Sequence, residues 1–521
     1  MTSFYCKVRR WFGQLSYYFD RLNVDVSSVF DKVARKESAI PHIFGVLMIY
    51  MSIALVFPYL VASYYGEDPR PWIFPLLLCL ISGLLLLLRY RSPENTRPTE
   101  AMFVVATGWL ALTVMGAIPF VMYGMGVVDA IFETMSGFTT TGSSIMIDIE
   151  SWPKSILFWR SFTQWLGGAG IIMIFVTVLP MLGVGGRNLF KNEFPGLDVQ
   201  NFSARIQEEA RKFHYIYGSL SVIMLVLLLF TGIGIFDSFC VMFSGMSTGG
   251  FSPHSASIAY YASSEVEWIV IFFMFMSGVN FYLHFQATVT RNLSTYWKSS
   301  EFKIYVLLIA VSTAIVAFVM WDKAFNELEY AIRTSMFQVV NVLTATGFAT
   351  ADFVTWDKGI VFLLFALMII GGCTGSTAGG IKVARFFLSR EFIASALHKT
   401  VHPRSIFTVK IDGRPLSQEA MSSVIAMVMC YLATALVAVV ALILLGIDPA
   451  TSMSAAVATL SNAGPGIGII GPYGSFGMLP DAAKLVLTFT MWAGRLEFIS
   501  VLVLFTPVFW RELMRYREKY V

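Results

Sequence analysis

The chain has 521 residues, of which 56% are hydrophobic and only 13% charged, with a formal net charge of +4. A soluble domain carries about 25% charged residues, so a string of water-facing globular domains is excluded. Disorder is excluded by the same numbers, because it requires low hydrophobicity and high charge. The composition reads as an all-α polytopic membrane protein.

A bilayer-spanning helix needs about 20 apolar residues. Ten segments qualify: 42–64, 71–88, 101–125, 156–182, 213–235, 268–290, 304–321, 359–381, 420–446 and 485–509. The stretch Met1–Lys36 is polar and basic and has no apolar region of a cleavable signal. Lys and Arg cluster at this start, in alternate connections (89–97, 187–212, 291–303, 382–414) and at 511–519. By the positive-inside rule, an even number of crossings leaves both termini in the cytoplasm. The expected organisation is a cytoplasmic start at 1–40 and a helix pair at 41–98. Further segments follow at 99–200, 201–300, 301–400 and 401–521.

These last four segments repeat one another. After the third, fifth, seventh and ninth spans comes an apolar stretch too short to cross a membrane, followed by a Gly-rich return. The short stretches open at Asp129, Asp237, Tyr330 and Asp448, and the three aspartates are expected to cap helix starts. Aligned on one glycine, the returns read Thr139-Thr140-Thr141-Gly142, Ser247-Thr248-Gly249-Gly250, Thr344-Ala345-Thr346-Gly347 and Ser461-Asn462-Ala463-Gly464. The glycines are 108, 97 and 117 residues apart. A unit of about one hundred residues, repeated four times, is the architecture to settle before smaller motifs.

Non-helical backbone at membrane depth is tolerated only when buried in protein or lining a watery cavity. Four such returns around one axis would present rings of carbonyl oxygens able to replace the hydration shell of a monovalent cation. The fold class expected is therefore ten transmembrane helices, with four pseudo-symmetric helix–pore loop–helix repeats around one pore and an N-terminal helix pair outside them.

Two further features lie below these returns in each reading. Residues 371–382 read GGCTGSTAGGIK, and so many glycines hold a regular helix poorly, each costing about 1 kcal/mol against Ala. Arg495 stands inside an apolar segment, where a guanidinium costs at least about 2.5–3.5 kcal/mol and must face a partner or a wet cavity. An ion pair with Glu133 of the first short helix is one such partner. Glu497, two residues on, points to a different helix face.

Other chemistry is absent from the pattern. The five cysteines and six histidines are scattered, without metal-ligand spacing. The glycine runs at 167–170 and 183–186 lack the strand and spacing of nucleotide loops, and no nucleophile–base set accompanies them. The chain is not read as an enzyme. A sodium- or proton-coupled symporter built on broken helices is the alternative, but it predicts inverted repeats, whereas these run parallel.

The motifs TTTGSS, STGGFSPHSAS, TATGFA, SNAGPGIG, GGCTGSTAGGIK and AGRLEF together resemble the Trk/Ktr/HKT superfamily of potassium transporters. With its extra N-terminal pair, the chain looks like the bacterial Trk-type membrane subunit, from about residue 40 to 510. The resemblance implies potassium as the transported ion, because a glycine in every filter repeat goes with potassium preference. It implies a filter formed by Thr140, Thr141, Gly142, Thr248, Gly249, Gly250, Ala345, Thr346, Gly347, Asn462, Ala463 and Gly464. It also implies an intramembrane gate at Gly371, Gly372, Thr374, Gly375, Ser376, Thr377, Gly379, Gly380 and Lys382. Arg495 would project toward the permeation path. No bound cofactor and no nucleic acid are implied. A homodimer in a bacterial or archaeal cytoplasmic membrane is implied, with a cytosolic nucleotide-binding regulatory subunit. The basic connections 183–212 and 382–418 are the natural docking faces for that partner or for anionic lipid heads.

Overall fold

The computed structural model describes residues 36–91, 98–177, 202–324, 327–402, 410–412 and 414–514. The basic start, the glycine run 183–186 and the basic end beyond 514 lie outside the described residues.

Helices make up most of it, with almost no strand. The first two, α1 (Ala39–Tyr65) and α2 (Arg70–Arg89), pack along each other, and α1 rests on α3 (Pro98–Met122) and α5 (Lys154–Thr177). Between them α1 stops at Gly66, whose φ of 71° suits glycine and whose N–H takes up the Ala62 carbonyl. The chain continues through α6 (Phe202–Phe230), α8 (Ser264–Ser277), α9 (Phe281–Thr290), α10 (Ser300–Ala324), α12 (Lys358–Ile370), α13 (Val383–Val401), α14 (Gln418–Leu444), α16 (Asp481–Arg495) and α17 (Pro507–Met514). Four helices of 12–16 residues sit among them, each following a long one: α4 (Val127–Phe138), α7 (Ile235–Met246), α11 (Leu328–Leu343) and α15 (Pro449–Leu460). Side-chain caps open several of these. Ser263, Asp357 and Ser417 accept from the N–H groups of Val266, Gly359 and Ala420 at the starts of α8, α12 and α14.

Among the described residues six helices are long and apolar enough to cross a membrane, and the pair α8–α9, bent by 95°, makes a seventh if counted as one span. Their lipid-facing sides are apolar. In α14, Leu436 and Val437 are about two-thirds exposed, which only a hydrocarbon solvent makes favourable.

The four short helices share one packing scheme. Each touches the long helix before it and the helix after it, and each also touches one closing helix from another part of the chain. That third contact runs from α4 to α16, α7 to α5, α11 to α8 and α15 to α12, so the contacts form a closed cycle.

Several spans read from the sequence differ from the observed helices. Segment 213–235 ends at Phe230, and Ile235 already begins α7. Segment 268–290 breaks at Gly278–Asn280, where Asn280 accepts from the Tyr282 N–H at 2.8 Å and starts α9 afresh. The freed backbone groups are taken up by the 371–382 loop: Cys373 N–H donates to Gly278 O, and Phe281 N–H to Gly375 O. Segment 359–381 is helical only to Ile370, as its glycines imply. Segment 485–509 breaks after Arg495, where Glu497 and Phe498 turn left-handed, and resumes in short helical turns from Ile499.

The aspartate caps are corrected in two of three cases. Asp448 does cap α15, accepting from Thr451 N–H. Gly126 and Gly234 open α4 and α7 instead, placing Asp129 and Asp237 in the first turn. There they still complement the helix dipole, but their carboxylates reach across to Lys484 at 2.6 Å and to His254 at 3.0 Å.

Asn280→Ala is expected to cost about 1 kcal/mol through the lost cap, while Asn280→Asp, which keeps the acceptor, stays near wild type. Thermal unfolding of the three proteins in detergent checks this.

Candidate functional site

The four short helices end on the same backbone figure. The residues at their C-termini, Thr139, Ser247, Thr344 and Ser461, are fully buried. The next residue turns left-handed each time: Thr140 (φ 52°), Thr248 (52°), Ala345 (55°) and Asn462 (52°). Its N–H bonds back to Gly137, Gly245, Val342 or Thr459, and the following N–H bonds back to Ser136, Ser244, Asn341 or Ala458 at 2.8–2.9 Å. This is the Schellman closure, which satisfies carbonyls that a helix end leaves open. Threonine in this conformation is sterically unfavourable, at about 1–2 kcal/mol, and such strain persists only where the surroundings over-determine it.

Two residues on, the aligned glycines Gly142, Gly250, Gly347 and Gly464 are also left-handed, with φ of 80–92°. They meet in a ring. A methyl group at Gly142 would strike the Gly249 carbonyl oxygen, and one at Gly250 would strike that of Thr346. At Gly347 it would lie 2.8 Å from Ala463 O, and at Gly464 2.8 Å from Thr141 O. Each tail thus lays a carbonyl against the glycine of its neighbour, and the fourth closes on the first. Above the glycines lies a bowl of about 280 Å³ reached by all four, with Ser143, Phe251 and Pro465 on its wall.

Side chains brace the tails from behind. Thr141 and Thr346 tie their hydroxyls to Thr139 and Thr344 at 2.7 Å, and Asn462 donates to the Thr141 hydroxyl at 2.9 Å and to Met491 O. Asn341 both donates to and accepts from the backbone of Phe348. Gln164 on α5 donates to Gly249 O at 2.6 Å and accepts from Phe251 N–H. Glu133 accepts from Ile145 N–H, the Ser144 hydroxyl and Arg160 Nε at 2.7 Å. At the rim, Glu150 accepts from Ser255 N–H at 2.8 Å. Burial opposes its charge, yet the hydroxyl and N–H of Ser255 hold the carboxyl below its ordinary range.

On the side away from the bowl, the 371–382 loop fills the space under the tails. Gly380 N–H donates to Ser461 O at 3.0 Å, and Gly379 packs so closely on that carbonyl that a side chain has no room. The Thr377 hydroxyl meets that of Thr248 and the carbonyls of Met246 and Ser277. Thr374 and Ala384 both donate to Glu301 at the start of α10, and Gly371, Gly375 and Gly380 have φ of 72–80°. Lys382 donates from Nζ to Ala378 O. Cys373 and Ser376 are buried within the loop, and Gly372 accepts from Val383 N–H.

Arg495 is buried at the end of α16, donating to Thr377 O at 2.9 Å and to Gly167 O at 3.4 Å. It does not pair with Glu133, whose partner is Arg160. Glu497 faces Arg385, which donates to both its oxygens at 2.8–2.9 Å.

Sequence reasoning did not single out Gln164, Asn341, Glu301 or the Glu133–Arg160 pair. A signal was present for one group. Aligning the repeats on their glycines puts Glu133 and Gln338 at the same register, nine residues upstream. Gln164 stands one helical turn after Arg160, so both share a face of α5.

A bundle of apolar helices holding a ring of buried backbone carbonyls between an open bowl and a re-entrant loop is the construction of an ion-conducting membrane protein. The chain belongs to the TrkH family of cation transport proteins, whose model matches residues 73–511. It is 35% identical over 481 residues to "Trk system potassium uptake protein TrkH" of Escherichia coli K12, covering 91% of this chain and 99% of that protein. It is 29% identical over 480 residues to "Trk system potassium uptake protein TrkG" of the same strain. The crystal structure of the potassium transporter TrkH from Vibrio parahaemolyticus superposes with a TM-score of 0.83 at 34% identity, covering 91% of this chain and 99% of that one.

Leaving one member of a buried ion pair uncompensated costs about 3–5 kcal/mol. Glu133→Ala is therefore expected to lower the thermal midpoint sharply, and the Glu133→Leu/Arg160→Met double variant is expected to recover part of the loss. Thermal unfolding in detergent, run on both, checks this.

Proposed function

We propose that this chain takes up K⁺ across the cytoplasmic membrane through the ring of four tails, as a membrane subunit of a Trk-type system. The observation that carries the reading is the closed cycle in which every tail sets a carbonyl against its neighbour's glycine. Backbone oxygens at that level substitute for water around a dehydrated monovalent ion. The filter comprises Thr140, Thr141 and Gly142 with their counterparts in the other three tails. On this reading the chain makes ten crossings, four pseudo-symmetric repeats plus the pair α1–α2, with the bowl outside and both termini in the cytoplasm.

Entry begins in the bowl. An ion leaving the glycine ring meets the 371–382 loop, which acts as the gate. Its neck is held by Glu301, and its tip by Thr248, Ser461 and Arg495. Opening requires Thr377 and Gly380 to release these partners. Arg495 adds a positive charge beneath the filter, in a low-dielectric setting where it strongly disfavours a lingering second cation. The family resemblance supports a homodimer and a cytosolic nucleotide-binding partner that drives the loop. The chain is a transporter and has no catalytic step, and K⁺ is its cargo.

Expression in cells lacking K⁺ uptake tests the filter. Wild type is expected to restore growth at low K⁺ and Gly142→Ser to fail or to admit Na⁺. Equal rescue by both, or by neither, contradicts the assignment. In reconstituted vesicles Arg495→Ala is expected to change cation flux by releasing Thr377 and removing the charge; unchanged flux removes the role given to it.

A further inference from the structure

Tail two differs from the others in one respect. The residue before its filter glycine is itself glycine, Gly249, where the other tails have Thr141, Thr346 and Ala463. The space a side chain would occupy at Gly249 is filled from outside by the amide of Gln164, whose three terminal atoms lie 2.4–2.8 Å from where a methyl carbon would sit. Gln164 is fully buried.

Its amide makes two bonds that straddle the filter glycine. Nε2 donates to Gly249 O on one side of Gly250, and Oε1 accepts from Phe251 N–H on the other. One turn earlier on α5, Arg160 donates to Ser252 O at 3.2 Å. The helix α5 therefore holds the four consecutive residues Gly249–Ser252 through three backbone atoms. Tails one and three use the threonine hydroxyl at this position, Thr141 and Thr346, to tie back to their helix ends, and Gly249 has no side chain with which to do so.

The Gly249 carbonyl is also the one that lies against Gly142. It is the only one of the four ring carbonyls for which a side-chain donor is recorded among the described residues. A carbonyl that already accepts a hydrogen bond at 2.6 Å has one lone pair committed and is fixed in direction.

We infer that Gln164 is a specificity-determining positioning residue: it holds the second filter strand in place of a strand side chain and makes the carbonyl ring unequal at the level of Gly249. It touches no ion itself. This rests on the reading of the ring as the ion filter. Losing the clamp frees the Gly249 carbonyl to turn, which changes how well the ring fits one ion against another. A merely structural glutamine would instead lower the amount of folded protein and reduce all ion fluxes in proportion.

The test uses the full-length chain in proteoliposomes, with K⁺, Rb⁺ and Na⁺ flux ratios measured for Gln164→Leu and Gln164→Glu. Leucine removes both bonds at similar volume, and glutamate keeps the acceptor for Phe251 N–H but loses the donor to Gly249 O. Both are expected to lower the K⁺/Na⁺ ratio, by on the order of tenfold for leucine and less for glutamate, as the loss of one or two buried hydrogen bonds allows. Gly249→Ala is expected to disrupt the wild type and to be partly rescued by Gln164→Ser, which vacates the space. Should Gln164→Leu fail to fold, Gln164→Glu and the Gly249→Ala/Gln164→Ser pair decide the matter. A wild-type flux ratio in the folded variants, or the absence of rescue, overturns the inference. A wild-type protein with no preference for K⁺ over Na⁺ overturns the filter reading on which it stands.

Discussion

Four helices end deep inside this protein, where no water is available for the carbonyls that a helix C-terminus leaves open. The chain solves the problem four times with the same closure, turning one residue left-handed and bonding two N–H groups back into the last turn. Everything near the axis follows from that turn. It aims the helix ends inward, where their partial negative charge favours a cation. It sets the next residues running extended toward the bowl, and it places a glycine two positions later, where another left-handed φ is required and a neighbouring carbonyl leaves no room for Cβ.

The same constraint explains the loop below. An interrupted helix at membrane depth must find partners for its freed backbone groups. The breaks at 278–280 and 371–382 find them largely in one another, and the break at 496–498 closes back on the last turn of α16. Cys373 N–H donates to Gly278 O and Phe281 N–H to Gly375 O across the bend between α8 and α9, the Arg495 side chain reaches Thr377 O, and Gly380 N–H reaches the end of α15. The segment proposed as the gate is thus itself part of the hydrogen-bond network of its surroundings. On the proposed reading, moving that segment means exchanging those bonds for others, as a two-state element requires.

How much of this could be read in advance depended on whether the physics leaves a residue-type signature. The aligned glycines were legible because steric exclusion of Cβ admits no other residue comfortably, and the loop at 371–382 because so many glycines defeat a helix. The left-handed Thr140, Thr248 and Ala345 were not, since propensity points threonine and alanine elsewhere and only the closure overrides it. Partner choice was opaque for a related reason. Glu133 and Arg495 are far apart in sequence and both charged, but Arg160, reaching Glu133 from α5, forms the pair, and Arg495 takes carbonyls instead. Its spacing from Arg160 puts Gln164 on a shared face of α5, but nothing local names its partner, because what it recognises is the space beside Gly249. The breaks at Asn280 and Glu497 went unseen because hydropathy records burial and is blind to where a backbone turns.

The central claim is that a dehydrated monovalent cation rests among the backbone oxygens of the four tails. Anomalous diffraction from crystals of this protein grown with Tl⁺ or Rb⁺ in place of K⁺ addresses it most directly. The account predicts anomalous density on the ring axis, level with Gly142, Gly250, Gly347 and Gly464. Density confined to other sites, with none within the ring at saturating ion, would contradict it.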